Sequence, residues 1–355
     1  MIAPTVESIV RDEIDASVDE AIARIRRRCE PLGPGAAALA EAIARATAGG
    51  KRFRPALVVA AFDAFGGDRE RAPALYPVAA AFELLHTAFV VHDDVIDHDT
   101  VRRGVPNVAG EFRARARLQG ALEAGETQLG DAAAILAGDL LVHEAERMFA
   151  VAPVDPWMRP ALLDLLDDAV FTSVAGELAD VENSISAECA TSEATLSAAR
   201  DKTAVYSFAA PLRAGAVLAN APADSMPVLQ RIGERIGLAF QLVDDLVGAF
   251  GTRIEAGREE GADLREAKRT PLVALARETA EWARVSEALA LAHTGPIAVR
   301  EAQQLLDRSG ARDQLRLLIE DTLSQADADA EASDLPLAVR DLLHSLTATL
   351  PERIP

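Results

Sequence analysis

FELLHTAFVVHDDVIDHDTVRR, residues 82–103, is an apolar helical run that ends in four acids, Asp93, Asp94, Asp97 and Asp99, followed by Arg102 and Arg103. Four residues apart on a helix, Asp93 and Asp97 project from one face about one turn, ~6 Å, apart. Such a pair can hold a hard divalent cation through oxygen. Magnesium keeps several waters and takes one or two carboxylates plus substrate phosphates, so the pair points to a phosphorylated substrate more than to an all-protein cage. The arginines add planar, permanently charged donors suited to phosphate oxygens. One turn before Asp93 stands Phe89, and before it His86 and Phe82 lie on roughly the same side, so this face turns from acidic to apolar.

The remaining composition narrows the class. The chain has 355 residues, half of them hydrophobic, enough for a large core. Ala, Leu, Glu and Arg dominate, and no segment sustains a two-residue alternation, so the chain reads as all-α. A net charge of −20 excludes nucleic acid as a partner. The N-terminus carries acids and no apolar core of a signal peptide. No membrane span is expected, because Glu83 and His86 interrupt the longest apolar run. Cys29 and Cys189 are too few for a disulfide framework or a zinc site, which makes the cytoplasm the expected compartment.

Outward from the opening stretch, residues 5–29 and a segment ending near residue 48 read as helices. GGKRFRP (49–55) follows, with three cations in four residues, two glycines before them and a helix-opening proline after them. Glycines let the backbone turn closely around a ligand, and a helix start adds unpaired N–H groups, which together make an anion pocket. It is not a nucleotide P-loop, since Lys51 is followed by Arg52 and not by Ser or Thr. Residues 104–130 look looser, with only helical pieces. Further helices are expected over about 131–149 and 157–182, with a loop over 186–193. Lys202 and Thr203 are expected to open a helix running through Val217; a lysine in apolar surroundings needs a counter-anion, and a substrate diphosphate could serve. Residues 228–250 form one long helix with Asp244 and Asp245 near its end, and residues 272–350 read as three or four amphipathic helices.

An apolar wall meeting carboxylates and cations suits a substrate with an apolar tail and a charged head, such as a prenyl diphosphate. The motifs GGKRFRP (49–55), LLHTAFVVHDDVIDHDTVRRG (84–104), AILAGDLL (134–141), KT (202–203), FQLVDD (240–245) and DLREAKRT (263–270) follow one another as in the trans-isoprenyl diphosphate synthases, or polyprenyl synthetases, which the chain resembles from about residue 35 to 345. That resemblance implies a single domain over residues 1–355, a bundle of mostly antiparallel helices around a deep central cavity, usually a homodimer. It implies a prenyltransferase that condenses isopentenyl diphosphate with an allylic diphosphate. Asp93 and Asp97 would hold two magnesium ions on the allylic diphosphate and Asp244 a third. Arg102 and Lys202 would contact that diphosphate, with Lys268 nearby, and Thr203 and Gln241 would face the carbocation. Lys51, Arg54, His86 and Arg103 would bind isopentenyl diphosphate.

Two positions depart from the family pattern. Gly248 stands where the second aspartate motif often ends in Asp, and Arg258 where many relatives carry lysine. In the family, bulky residues four and five positions before the first motif shorten the product; here they are Phe89 and Ala88. Geranylgeranyl diphosphate is the expected product, with farnesyl or a longer polyprenyl diphosphate as the alternative. A class I terpene cyclase and a non-catalytic subunit of a heteromeric synthase remain open, as does a di-iron site built on Glu83 and His86 with Asp341 and His344.

Overall fold

The computed structural model describes residues 8–186, 190–252 and 259–355, so Cys189 and Arg258 lie outside the described residues. These residues gather into two compact units. The first takes the described residues up to Asp164 together with Ala214–Asn220; the second takes Leu165–Arg213 and the described residues from Ala221 on.

The first unit opens with helices Ser8–Cys29 (α1), Pro34–Thr47 (α2), Phe53–Ala64 (α3) and Leu75–Ile96 (α4), close to where the apolar periodicity predicts them. Helix α4 is its centre, with Phe82, Leu84, Leu85 and Ala88 fully buried and Phe82 set edge-on to Phe149 at 5.4 Å. By length and composition alone α4 is apolar enough to cross a membrane, contrary to the reading that Glu83 and His86 interrupt it. Two thirds of that window (67%) is buried inside the structure, so this is the apolar core helix of a folded unit. The expected loose stretch after Gly104 is ordered. Val101–Arg102 (β1) and Val105–Pro106 (β2) pair antiparallel, Val101 with Pro106 and Arg102 with Val105. Their turn residues Arg103 and Gly104 both take positive φ, 54° and 79°, the geometry whose twist suits a two-residue hairpin. Asn107 then caps helix Val108–Leu118 (α5), accepting from the Gly110 N–H at 2.9 Å. Glu123–Val151 (α6) follows and packs along α4. Gly138 allows that approach, because a Cβ there would lie 2.1 Å from the His92 ring.

Met158–Ile185 (α7) and Ala210–Leu218 (α9) each contain a division between the units. In the second unit, Ser192–Ala204 (α8) runs into a π-helical turn, Val205–Ala209, ahead of α9. Lys202 and Thr203 therefore lie in the last turn of α8 and do not open a helix. The reason is Thr191, whose hydroxyl accepts from the Ala194 N–H at 3.2 Å and starts the helix ten residues earlier. The long helix is Ser225–Phe250 (α10). Gly233 and Gly237 let it lie against α8 and the π turn, since a Cβ at either would stand 2.6 Å from Ala209 Cα or 2.5 Å from Ala204 Cα. Ala262–Arg265 (α11) leads to Pro271–Arg277 (α12), Trp282–Leu291 (α13), Pro296–Ser309 (α14), Ala311–Glu331 (α15) and Leu337–Thr349 (α16). Five helices thus occupy the stretch read as three or four, with breaks at Gly295-Pro296, Gly310 and Pro336.

Candidate active site

The end of α4 carries the first acid cluster. Asp93 lies in its last turn and Asp97 caps it, donating its N–H to the Asp93 carbonyl at 2.8 Å. Asp93 is half-buried and Asp97 exposed. Between them Asp94 turns inward and is buried. Its carboxylate accepts from Arg102 Nε at 2.7 Å and pairs with Arg102 Nη2 at 2.6 Å, while Asp93 lies 3.6 Å from the same nitrogen. Burial raises the pKa of Asp94 and the Arg102 bond opposes that rise. The β1–β2 hairpin aims Arg102 back at the helix, and Asn107 Nδ2 ties the connection by donating to the Asp99 carbonyl at 2.9 Å.

The cations of GGKRFRP separate. Lys51 is exposed and Arg54 half-buried, whereas Arg52 is buried against Asp15 and Glu83. His86, half-buried in α4, has its pKa pushed well below the usual histidine value, first by desolvation and then by the charges of Arg54, Arg102 and Arg103. Its imidazole is therefore neutral at pH 7 and sits among three arginines. One turn before Asp93 in α4, Phe89 is half-buried, and Ala88 beside it is fully buried.

The second unit carries the remaining predicted residues. Lys202 has its counter-anions within the protein: Glu177 at 3.0 Å and Asp180 at 3.1 Å, both on α7. Gly176 brings α7 and α8 together there, as a Cβ would lie 2.1 Å from the Lys202 amide nitrogen. Thr203 Oγ1 donates to Gln241 Oε1 at 2.9 Å, and Gln241 Nε2 donates to Asp245 Oδ1 at 2.9 Å, a chain across α8 and α10. Asp244 is exposed with Arg353 at 3.4 Å, and that guanidinium also lies over the Phe240 ring. Lys268 stands 3.6 Å from Glu266, and Arg269 donates to the carbonyls of Asn183 and Ser186 at the end of α7, tying DLREAKRT to that helix.

The buried Asp245 has its pKa driven well above the ordinary carboxylate value by desolvation and by Asp263, with smaller contributions from Asp244 and Asp180, and the Gln241 bond opposes the rise. Crowded carboxylates of this kind favour a hard divalent cation, and all the donors are oxygens, so the residues fit magnesium. Among the described residues no three His, Cys, Asp or Glu side chains are grouped as a metal cage. The di-iron alternative loses its ligands: Glu83 is committed to Arg52, and His344 to Asp327 at 2.9 Å and Glu331 at 2.8 Å.

Sequence reasoning misses Asp94, Glu177, Asp180 and Arg353 as partners of the predicted residues. Asp94 is visible as the second acid of a pair, and Glu177 and Asp180 as acids at helical spacing after Gly176; Arg353 carries no signal. Four of the five non-glycine residues with positive φ among those described, Arg52, His98, Arg103 and Ala267, fall in or beside the motifs, where strained backbone marks functional turns.

A family model described as polyprenyl synthetase matches residues 36–307. A geranylgeranyl diphosphate synthase of Sulfolobus acidocaldarius is 32% identical over 231 residues, 64% of this chain and 63% of that protein. A farnesyl diphosphate synthase of Mycobacterium tuberculosis is 34% identical over 263 residues, 74% of this chain and 63% of that one. The chain thus matches just under two thirds of the length of these relatives. Among solved structures, a geranylgeranyl pyrophosphate synthase from Corynebacterium glutamicum, complexed with isoprenyl diphosphate and magnesium, covers 98% of both chains with a TM-score of 0.86 at 28% identity. With this helical architecture matched along nearly its whole length and the family model spanning the motifs, the chain belongs to the polyprenyl synthetase family.

Proposed function

We propose that the chain is a trans-prenyltransferase that joins isopentenyl diphosphate to an allylic diphosphate with loss of diphosphate. The observation that carries this reading is the end of α4, where Asp93 lies 3.6 Å from an Arg102 held in place by buried Asp94, and Asp97 caps the same helix. Asp93 and Asp97 would hold magnesium at one site and Asp244 at another, three ions in all. Bound there, magnesium would neutralise the charge that grows on the departing diphosphate. Arg102, Lys202 and Lys268 give the same diphosphate permanent cationic donors. Glu177 and Asp180 hold the Lys202 side chain in a half-buried position before substrate arrives. Thr203 and Gln241, already linked to one another, supply oxygen dipoles that favour a nearby carbocation without capturing it.

Lys51, Arg54, Arg103 and the neutral His86 take isopentenyl diphosphate. A neutral imidazole donates a hydrogen bond and adds no further charge to a cluster of arginines. The alkene of isopentenyl diphosphate attacks the allylic carbon, and the released diphosphate removes the proton, so no protein base is needed. On α7, Phe171, Val174, Leu178 and Ile185 are exposed at helical spacing, which supports a homodimer. Cys29 is a buried free thiol.

Phe89 and Ala88 are proposed to set product length, with geranylgeranyl diphosphate the product and farnesyl or longer diphosphates the alternative. Dimethylallyl, geranyl and farnesyl diphosphates, each supplied with labelled isopentenyl diphosphate, should all be extended to a product of four isoprene units on chromatography. A sole product of six or more units would contradict that assignment.

A further inference from the structure

Of the three cations in GGKRFRP, Arg52 is the one turned inward. Its Nε donates to Asp15 of α1 at 2.7 Å, and its Nη1 donates to the Thr47 carbonyl at the end of α2 and to Glu83 of α4, each at 3.0 Å. Three helices converge on one side chain that is only 6% exposed, beside a Glu83 that is 7% exposed. Arg52, the residue before α3, itself takes the left-handed region at φ 51°, two residues after Gly50, and Gly49 and Gly50 have φ of 72° and 85°. A non-glycine residue keeps that conformation only where its surroundings impose it. Arg11 of α1 adds a fourth tie, donating to the Gly50 carbonyl at 2.9 Å.

At 6% exposure and flanked by Asp15 and Glu83, Arg52 is turned into the protein and does not face an incoming anion. Lys51, exposed, and Arg54, half-buried, are the two cations proposed above to meet that anion. We infer that Arg52 is a positioning residue: clamped by Asp15 and Glu83, it fixes the backbone of residues 49–54 so that Lys51 and Arg54 are held ready for the diphosphate of the isopentenyl substrate. This role rests on the isopentenyl diphosphate site proposed above. A lysine cannot replace it, because an ammonium lacks the planar fork that reaches Asp15, Glu83 and the Thr47 carbonyl together.

Arg52→Lys and Glu83→Gln test this. Glu83→Gln leaves Arg52 and its bond to Asp15 in place, so it reports even if the lysine variant folds poorly. Steady-state kinetics with each substrate varied in turn should give a KM for isopentenyl diphosphate raised about tenfold, with kcat and the KM for the allylic substrate within about twofold of wild type, because displaced binding groups lose ground-state contacts. Calorimetric titration with isopentenyl diphosphate should weaken in parallel. A purely structural role would lower the thermal midpoint and the active fraction while leaving that KM unchanged, and this result would overturn the inference. If wild type binds isopentenyl diphosphate but does not turn over, the proposed function fails instead, and the titration decides the role of Arg52 by itself: equal affinities would refute it.

Discussion

Asp94 lies buried between the two carboxylates proposed to hold magnesium, and its own carboxylate is engaged by Arg102. Asp94→Asn keeps the shape and removes the charge that orients the guanidinium. A charge-assisted hydrogen bond contributes about 1.5–3 kcal/mol, so the KM for the allylic diphosphate should rise about tenfold or more. Unchanged kinetics in that variant would show that Arg102 keeps its place without Asp94. At this scale the sequence reveals residue type and spacing, which suffices for Asp93, Asp97 and the basic turn at 49–54. It does not reveal which way a side chain faces: Arg52 and Lys51 are neighbours, yet one is buried and the other exposed. The partners of Lys202, at separations of 25 and 22 residues, become visible only when α7 and α8 are brought together at Gly176.

Helix α10 depends on Gly233 and Gly237 for its closeness to α8, and that closeness links Thr203 to Gln241. Gly237→Ala places a Cβ 2.5 Å from the Ala204 backbone. Overpacking of this kind costs about 1–3 kcal/mol, so the urea midpoint should fall, and activity with it as Gln241 moves away. A midpoint equal to wild type would mean that α10 can shift freely. Helix α16 is tied to α15 through His344, whose pKa is raised chiefly by its bond to Glu331, then by Asp327, while the pKa of Glu331 is lowered by the same bond. The raised histidine stabilises fully below its unfolded value of 6.5 and loses that contribution as pH rises, whereas the lowered glutamate loses its share as pH falls below 4.5. The thermal midpoint should therefore decline from pH 6.5 upward, and less so in His344→Gln; identical pH profiles would show the tie to be inert. Apolar periodicity makes α4 and α10 legible as elements. The hairpin at residues 101–106 is not, because its turn uses Arg103 in the left-handed region where Asn or Gly would have signalled it. The start of α8 escapes the same reading because one threonine cap sets it.

For the whole chain, the order of six short motifs leads to the family from the sequence alone, since each is weak by itself and their succession along the chain is specific. The grouping into two compact units has no such signature, because two of its divisions fall inside continuous helices, α7 and α9. The burial of α4 is equally hidden: its composition alone would suit a membrane, and only packing reveals a core helix. Transfer of a prenyl group by this chain is proposed to depend on magnesium. Purified protein given farnesyl diphosphate and labelled isopentenyl diphosphate, with and without magnesium and beside an Asp93→Asn/Asp97→Asn variant, tests it most directly. Diphosphate release and a labelled, longer prenyl diphosphate should appear only with magnesium, and the rate should be about a hundredfold or more lower in the variant. Undiminished turnover after chelation, or in the double variant, would contradict it.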